Sequence, residues 1–154
     1  MDPGPVTGLL GPEADSPSFR AACRTLVDGS RRPDFVNDLA EDLREGWLGI
    51  SAQALRRFAV TVEDLVPGRE PPGLRDRVDH EVAAHMDLET ARELPAQTTA
   101  PGRTLLTAVV DIELLTAKAV LARGPRLLSG PASPSPVGAL RVLMGARRKA
   151  RASH

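Results

Sequence analysis

The sequence predicts an all-α protein, and three observations lead to this fold class. Apolar residues recur at intervals of three and four through most of the chain, the spacing that places them on one face of a helix. No segment shows the sustained alternation of apolar and polar residues that a half-buried strand requires. The stretch from Leu105 to Leu121 is aliphatic around most of its circumference, which is typical of a helix enclosed by neighbours. We therefore expect a single small helical bundle around this segment, with a flexible N-terminal leader and a basic C-terminal tail.

Proline, glycine and serine suggest how the chain is divided. Residues 1–15 contain three prolines and no apolar face, so we expect a flexible leader. Residues 16–128 hold the periodic segments and form the predicted helical domain. Residues 129–154 begin as a Pro/Ser-rich linker, which is followed by a short helix and the basic tail.

The first two predicted helices are separated by Gly29 and Pro33. Ser16 is followed by proline, a pattern typical of a helix N-cap, and the first helix is expected to end at Gly29. The second helix is expected to open at Pro33 and to carry a buried stripe that ends with Trp47.

Three further helices complete the predicted domain. Ser51 is expected to cap the third helix. The fourth helix is expected to run from Leu74 to Leu94, with Arg77 and Glu81 paired one turn apart on its exposed side. Thr104 is expected to cap the central helix, which ends before Gly124-Pro125.

Composition and charge exclude several classes of function. Lys plus Arg and Asp plus Glu number 20 each, so no global field draws the protein to nucleic acid or to an anionic membrane. Cys23 is the only cysteine, which excludes an internal disulfide and fits a reducing compartment. Asp111, Glu113 and Lys118 interrupt the most apolar segment and argue against a membrane span. With no secretory signal visible, we expect a cytoplasmic protein.

No catalytic or metal site is recognisable in the sequence. His80 and His85 flank Glu81 but are five residues apart, which separates their side chains by roughly 140° on a helix and prevents chelation of one ion. Cys23 lies on a predicted apolar stripe, which favours a buried, inert thiol. We therefore predict no metal and no cofactor, and leave catalytic residues unassigned.

A local pattern at residues 49–58 resembles the turn and second helix of a helix-turn-helix unit. Its glycine would form the turn, and Gln53, Arg56 and Arg57 would face a major groove. Two features argue against this interpretation: Glu45 stands where such units usually carry a small residue, and the preceding helix is acidic. An ordinary capped helix remains the simpler interpretation.

The dense basic patch of the chain lies near its C-terminus, at Arg147, Arg148, Lys149 and Arg151. It would contact phosphates or an acidic surface, or it would serve as a solubilising tail.

We hypothesise a non-enzymatic accessory or regulatory protein that acts through a helical surface on a protein partner or a second copy of itself. One alternative is a DNA-binding regulator that uses residues 49–58, with nucleic acid as the partner. The other is an enzyme or enzyme subunit with a pocket inside the bundle near His80 and His85.

Overall fold

The all-α prediction is confirmed. A computed structural model of the protein describes residues 16–83, 91–98 and 100–152, and within these ranges every regular element is a helix. The α-helices are α1 (Pro17–Asn37), α2 (Leu39–Arg44), α3 (Ala52–Arg57), α4 (Pro72–Val82), α5 (Ala100–Arg123) and α6 (Pro136–Ala152). Shorter 3₁₀ segments lie at Val62–Asp64, Ala91–Gln97 and Gly124–Ser129. The predicted leader 1–15 and His85 lie outside the described residues.

Helix α5 is the central element, as its aliphatic sequence predicts. It packs against α1, α4, α6 and the 3₁₀ segment Ala91–Gln97. Val110, Leu114, Ala117 and Val120 recur at three and four along its length and are almost fully buried. The helix begins at Ala100, so Thr104 lies inside it rather than at its cap. In the described part of the chain, no helix has both the length and the apolar character needed to cross a bilayer.

Helix α1 is one continuous helix of 21 residues, so the break predicted between Gly29 and Pro33 is wrong. Proline inside a helix lacks an N–H donor, and its ring crowds the carbonyl four residues earlier, which here belongs to Gly29. Both residues are buried, so tertiary packing holds the helix together at a point where local preference would end it. The predicted start is confirmed, because Ser16 Oγ accepts a hydrogen bond of 3.1 Å from the Phe19 backbone N–H.

A second apolar cluster lies beside the main core, where α2, α3 and the start of α4 meet. It contains Leu39, Ile50, Leu55, Val60, Leu65, Leu74 and Leu128. Trp47 was expected to join the buried stripe, but it is 72% exposed. The reason is that α2 ends at Arg44 and the chain turns at Gly46, whose φ of +78° carries the following residues away from the helix axis.

The segment after α5 is attached to the core before α6 begins. The Asn37 side chain accepts a hydrogen bond of 2.6 Å from the Ala132 N–H and donates one of 3.0 Å to the Ala132 carbonyl. Leu127 and Ala132 are both buried in the main core. Helix α6 follows and has 17 residues, so the basic residues predicted as a tail after a short helix lie on the helix itself.

Candidate interaction sites

Helix α6 exposes its large apolar side chains. Val137, Leu140, Leu143 and Met144 are each about half exposed or more, and we refer to these four residues as the outer face of α6. Leu140 and Leu143, at 59% and 54% exposed, are two of the larger apolar side chains on this surface. Their spacing places all four on one side of the helix. A side of this kind is the usual mark of a helix that packs against another surface.

The opposite side of α6 consists of small residues and packs against α5. Gly138, Ala139, Val142, Gly145 and Ala146 are the partly buried residues of the helix. A Cβ atom placed on Gly138 would lie 3.3 Å from Leu115 Cδ1, closer than most real Cβ contacts. At Gly138 the contact with α5 is therefore too close for a large side chain, whereas farther along, beside Gly145, the two helices leave a groove of about 260 Å³.

The basic residues of the predicted tail lie on two sides of α6. Arg147, Arg148 and Arg151 are exposed and continue the outer face toward the C-terminus. Lys149 instead lines the groove between α5 and α6, together with Arg141. The helix has five basic residues and no acidic one between positions 136 and 152, so its outer surface is apolar at one end and cationic at the other.

A second candidate site is a polar pocket between α3 and α4, with a volume of about 260 Å³. Its polar lining side chains belong to Ser51, Gln53, Arg57, Arg77, His80 and Glu81, and Ala54 and Phe58 complete the wall. Gln53 and Arg57 were selected from the sequence as candidate DNA contacts, and His80 and Glu81 were considered as part of a metal or enzyme site. The structure brings these four residues together at one place.

Arg77 is the residue of this pocket that sequence reasoning misplaced. Its predicted pair with Glu81 is present, with Nη2 and Oε1 3.0 Å apart, but the Arg77 side chain is only 6% exposed. The expectation that the pair lies on an exposed side of the helix is therefore wrong. Arg77 is buried because α3 and the end of α1 cover this face of α4, and its guanidinium lies 5.9 Å from the centre of the Phe58 ring.

Two backbone features bring α3 and α4 close enough to form the pocket. The first is Ala59, whose φ of +52° ends α3. Two backbone hydrogen bonds close this turn, from the Val60 N–H to the Leu55 carbonyl and from the Ala59 N–H to the Arg56 carbonyl. Gly73 then lets the first turn of α4 approach α3, because a Cβ atom there would overlap the carbonyl oxygen of Phe58.

The segment that resembles a helix-turn-helix has the expected local structure in part. Ser51 caps α3 through a hydrogen bond of 3.2 Å from the Ala54 N–H to its hydroxyl. Gln53, Arg56 and Arg57 are exposed. Helix α3 has only six residues, however, and a helix of that length is about 9 Å long. The turn was expected at Gly49, but the glycine with left-handed backbone geometry before α3 is Gly46.

Cys23 is partly buried and packs against the main core. This burial raises the pKa of its thiol above the ordinary value, so less thiolate is present at neutral pH. Among residues 16–83, 91–98 and 100–152, no group of three or more His, Cys, Asp or Glu side chains is arranged to hold a metal ion.

A shallow apolar groove of about 540 Å³ lies between α2 and the Gly124–Ser129 segment. Leu43, Leu65 and Leu128 form much of its wall, and Arg44 is its charged residue. The Arg44 Nε donates to the Ala40 carbonyl of its own helix at 3.2 Å. The groove therefore offers packing surface without a convergent set of polar groups that would orient a ligand.

No protein-family model matches the chain, and no curated protein is similar to it at a significant level.

Proposed function

We propose that the protein is a non-enzymatic accessory protein of the cytoplasm that binds a partner protein through the outer face of α6. The partner we infer offers an apolar groove with acidic residues at one end. The observation that carries this proposal is the orientation of α6, which packs against α5 with small residues and leaves Leu140 and Leu143 outward. Burying such side chains against a partner releases about 0.8 kcal/mol per CH₂ group removed from water.

The spacing of the outer face fits a helix bound in a groove. Val137, Leu140 and Met144 stand at positions i, i+3 and i+7, the pattern by which amphipathic helices anchor in apolar grooves. Arg147 and Arg151 continue the same side of the helix beyond the apolar residues. A groove that accepts the whole helix would therefore present apolar residues along most of its length and carboxylates at the end that meets these arginines.

Charge favours a different protein over a second copy of this chain. The α6 helix has no acidic residue, so a second α6 helix, whether parallel or antiparallel, would offer no carboxylate to these arginines. Arg147, Arg148 and Arg151 also follow the apolar residues along the axis, and Arg141 lines the groove toward α5, which does not suit a helix lying flat in a lipid surface. An acidic groove satisfies both the apolar and the cationic parts of the helix.

Site-specific photo-crosslinking tests this proposal. Full-length variants that carry a photo-crosslinking amino acid at position 140 or 143 are expressed in the native host. Variants with the same amino acid at position 62 or 66 serve as matched controls, because Val62 and Val66 are similarly exposed. The crosslinked partner is purified, and its binding to the wild-type chain is measured by calorimetry at low and moderate salt. We expect a one-to-one complex that weakens as salt rises.

Substitution then locates the interface. Leu140→Ser with Leu143→Ser should weaken binding at least tenfold, since buried apolar anchors contribute much of the energy at interfaces, while Val62→Ser with Val66→Ser should leave it unchanged. Equal crosslinking at all four positions would overturn the proposal. So would a product containing a second copy of the chain, lipid or nucleic acid, or binding that is indifferent to the α6 substitutions.

DNA binding by residues 49–58 remains the second hypothesis, and its support is the exposure of Gln53, Arg56 and Arg57 beside a capped, packed helix. The short α3 and the acidic α2 before it favour the protein-binding proposal. Electrophoretic shift assays on mixed-sequence duplex DNA separate the two. Retardation that survives moderate salt and is lost in Arg56→Ala/Arg57→Ala would establish DNA binding. No retardation at either salt concentration would dispose of it.

A further inference from the structure

We propose that the polar pocket between α3 and α4 binds an oxyanion group, a phosphate or a carboxylate, carried by a small molecule. The pocket is formed by residues 51–58 and 77–81 and does not include α6, so this proposal is independent of the protein-binding surface. It rests on a cluster of cationic groups, on the burial of Arg77, and on the size of the pocket.

The first observation is that three nitrogen-bearing groups surround one aromatic ring. The guanidinium carbons of Arg57 and Arg77 lie 5.4 and 5.9 Å from the centre of the Phe58 ring. The His80 ring centre lies 5.4 Å from the same point. The two arginine contacts are each favourable, because a guanidinium is attracted to an aromatic face, and the tilted His80 ring packs against Phe58 as an aromatic pair. Two guanidinium groups beside one ring also repel each other, and an anion bound in the pocket would offset that repulsion.

The second observation is that Arg77 is buried with one carboxylate near it. A guanidinium has five N–H donors, and the ion pair with Glu81 engages Nη2. Within the described residues, Glu81 is the only ion-pair partner of Arg77. A buried guanidinium is stabilised when acceptors meet more of its donors, and a ligand oxygen in the pocket would supply one.

The local charge balance points the same way. Two arginines against one glutamate leave the pocket with a positive charge of one before His80 is considered, although the whole chain is neutral. The volume of about 260 Å³ is below the range of about 300–1,000 Å³ typical of sites for drug-sized ligands. It suits a single anionic group, with the Gln53 amide at the rim as an additional hydrogen-bond donor.

A titration followed by nuclear magnetic resonance tests the proposal on the full chain. Inorganic phosphate and acetate are added separately at constant ionic strength, and the Nε–H signals of the arginines and the amide signals of residues 51–58 and 77–81 are recorded. We expect saturable shifts confined to the pocket. Saturation with phosphate alone identifies a phosphate-bearing ligand, saturation with acetate alone identifies a carboxylate, and saturation with both supports an oxyanion of either kind.

Neighbouring arginines provide a matched pair of variants. Arg57→Gln removes a pocket cation and should weaken binding by about tenfold, as expected for the loss of a hydrogen bond to a charged group. Arg56→Gln removes the same charge one residue earlier, outside the pocket lining, and should leave the affinity unchanged. Both side chains are exposed, so neither variant should impair folding.

Glu81→Gln provides a test in the opposite direction. It removes the carboxylate that competes with the ligand for Arg77 but keeps a hydrogen-bond acceptor for the guanidinium, so binding should strengthen severalfold. Shifts that never saturate, or that are equally reduced in Arg56→Gln and Arg57→Gln, would mean general charge screening and would overturn the proposal. Weaker binding in Glu81→Gln, with unfolding curves that match those of the wild type, would also overturn it.

Discussion

Replacing Ala59 with glycine should stabilise the protein, although it removes a side chain. Ala59 ends α3 in the left-handed region, with φ of +52°, and is exposed. An L-residue in that conformation costs roughly 1–2 kcal/mol, whereas glycine adopts it without steric cost. Glycine loses about 0.5–1 kcal/mol more backbone entropy on folding, so the net gain is about 0.5–1 kcal/mol.

Gly46 is the matched control, because it occupies the corresponding position after α2. Its φ is +78°, and the same two hydrogen bonds close the turn: the Gly46 N–H to the Leu43 carbonyl, and the Trp47 N–H to the Asp42 carbonyl. A Cβ atom on Gly46 would meet nothing within 4 Å, so Gly46→Ala tests the backbone conformation alone. We expect it to destabilise the protein by about 0.5–1 kcal/mol.

Urea unfolding followed by far-UV circular dichroism measures both changes. The midpoint should rise for Ala59→Gly and fall for Gly46→Ala with the m-value unchanged, and the melting temperature should move by about 2 °C in each direction. Loss of stability in Ala59→Gly, or no change in Gly46→Ala, would refute the assignment of left-handed strain to these two turns.

Three further predictions concern single side chains. Asn37→Ala should lower the free energy of unfolding by about 1–3 kcal/mol in a urea titration, because the N–H and the carbonyl of buried Ala132 both lose their hydrogen-bond partner. Asn37→Asp keeps only the acceptor and should retain part of the stability. Glu113→Gln should stabilise the protein at neutral pH, since burial and nearby Asp34 raise the pKa of the Glu113 carboxyl. The penalty of its charge grows as pH rises from 4.5 toward that raised pKa and is complete above it, so the stabilities of the two proteins should converge below pH 4.5. Cys23 should react with a thiol reagent much more slowly in the native protein than in urea, and equal rates would contradict its packing against the core.

Periodicity was sufficient to predict the fold class and the central helix. The apolar residues of α5 repeat often enough that a buried helix is the only regular structure that satisfies them. Two of the three predicted side-chain caps, Ser16 and Ser51, are confirmed, because each acts on a residue only three positions away, whereas Thr104 lies inside α5. These features depend on local chemistry, which a sequence records directly.

The course of α1 depends on packing, and local rules therefore failed there. Gly29 and Pro33 each favour the end of a helix, yet both are buried against neighbouring elements. Ser30 also adapts to the site, since its hydroxyl donates to the Leu26 carbonyl one turn earlier at 3.0 Å. The cost of the two helix breakers is offset by contacts with segments distant in sequence, which no local pattern contains.

The polar pocket shows the same division between residue type and position. His80, Glu81, Gln53 and Arg57 could be selected as chemically able residues, but their meeting depends on the turn at Ala59. Arg77 was expected on the surface because arginine is rarely buried, and that expectation fails where an aromatic ring and a carboxylate compensate the buried charge. A buried arginine beside a cavity is therefore informative because it departs from the usual pattern.

Periodicity alone does not show whether the large apolar residues of α6 face the core or face outward, and the structure decides between the two. An amphipathic helix at the end of a chain normally turns its large apolar residues toward the core, and sequence reasoning would place Leu140 and Leu143 there. In the structure a Cβ atom on Gly138 would lie 3.3 Å from Leu115 Cδ1, so a leucine at that position would push α6 away from α5, although the groove beside Gly145 is open. Gly138 and Ala139 therefore let α6 approach α5 while Leu140 and Leu143 stay outward, and the proposed partner-binding surface depends on this arrangement.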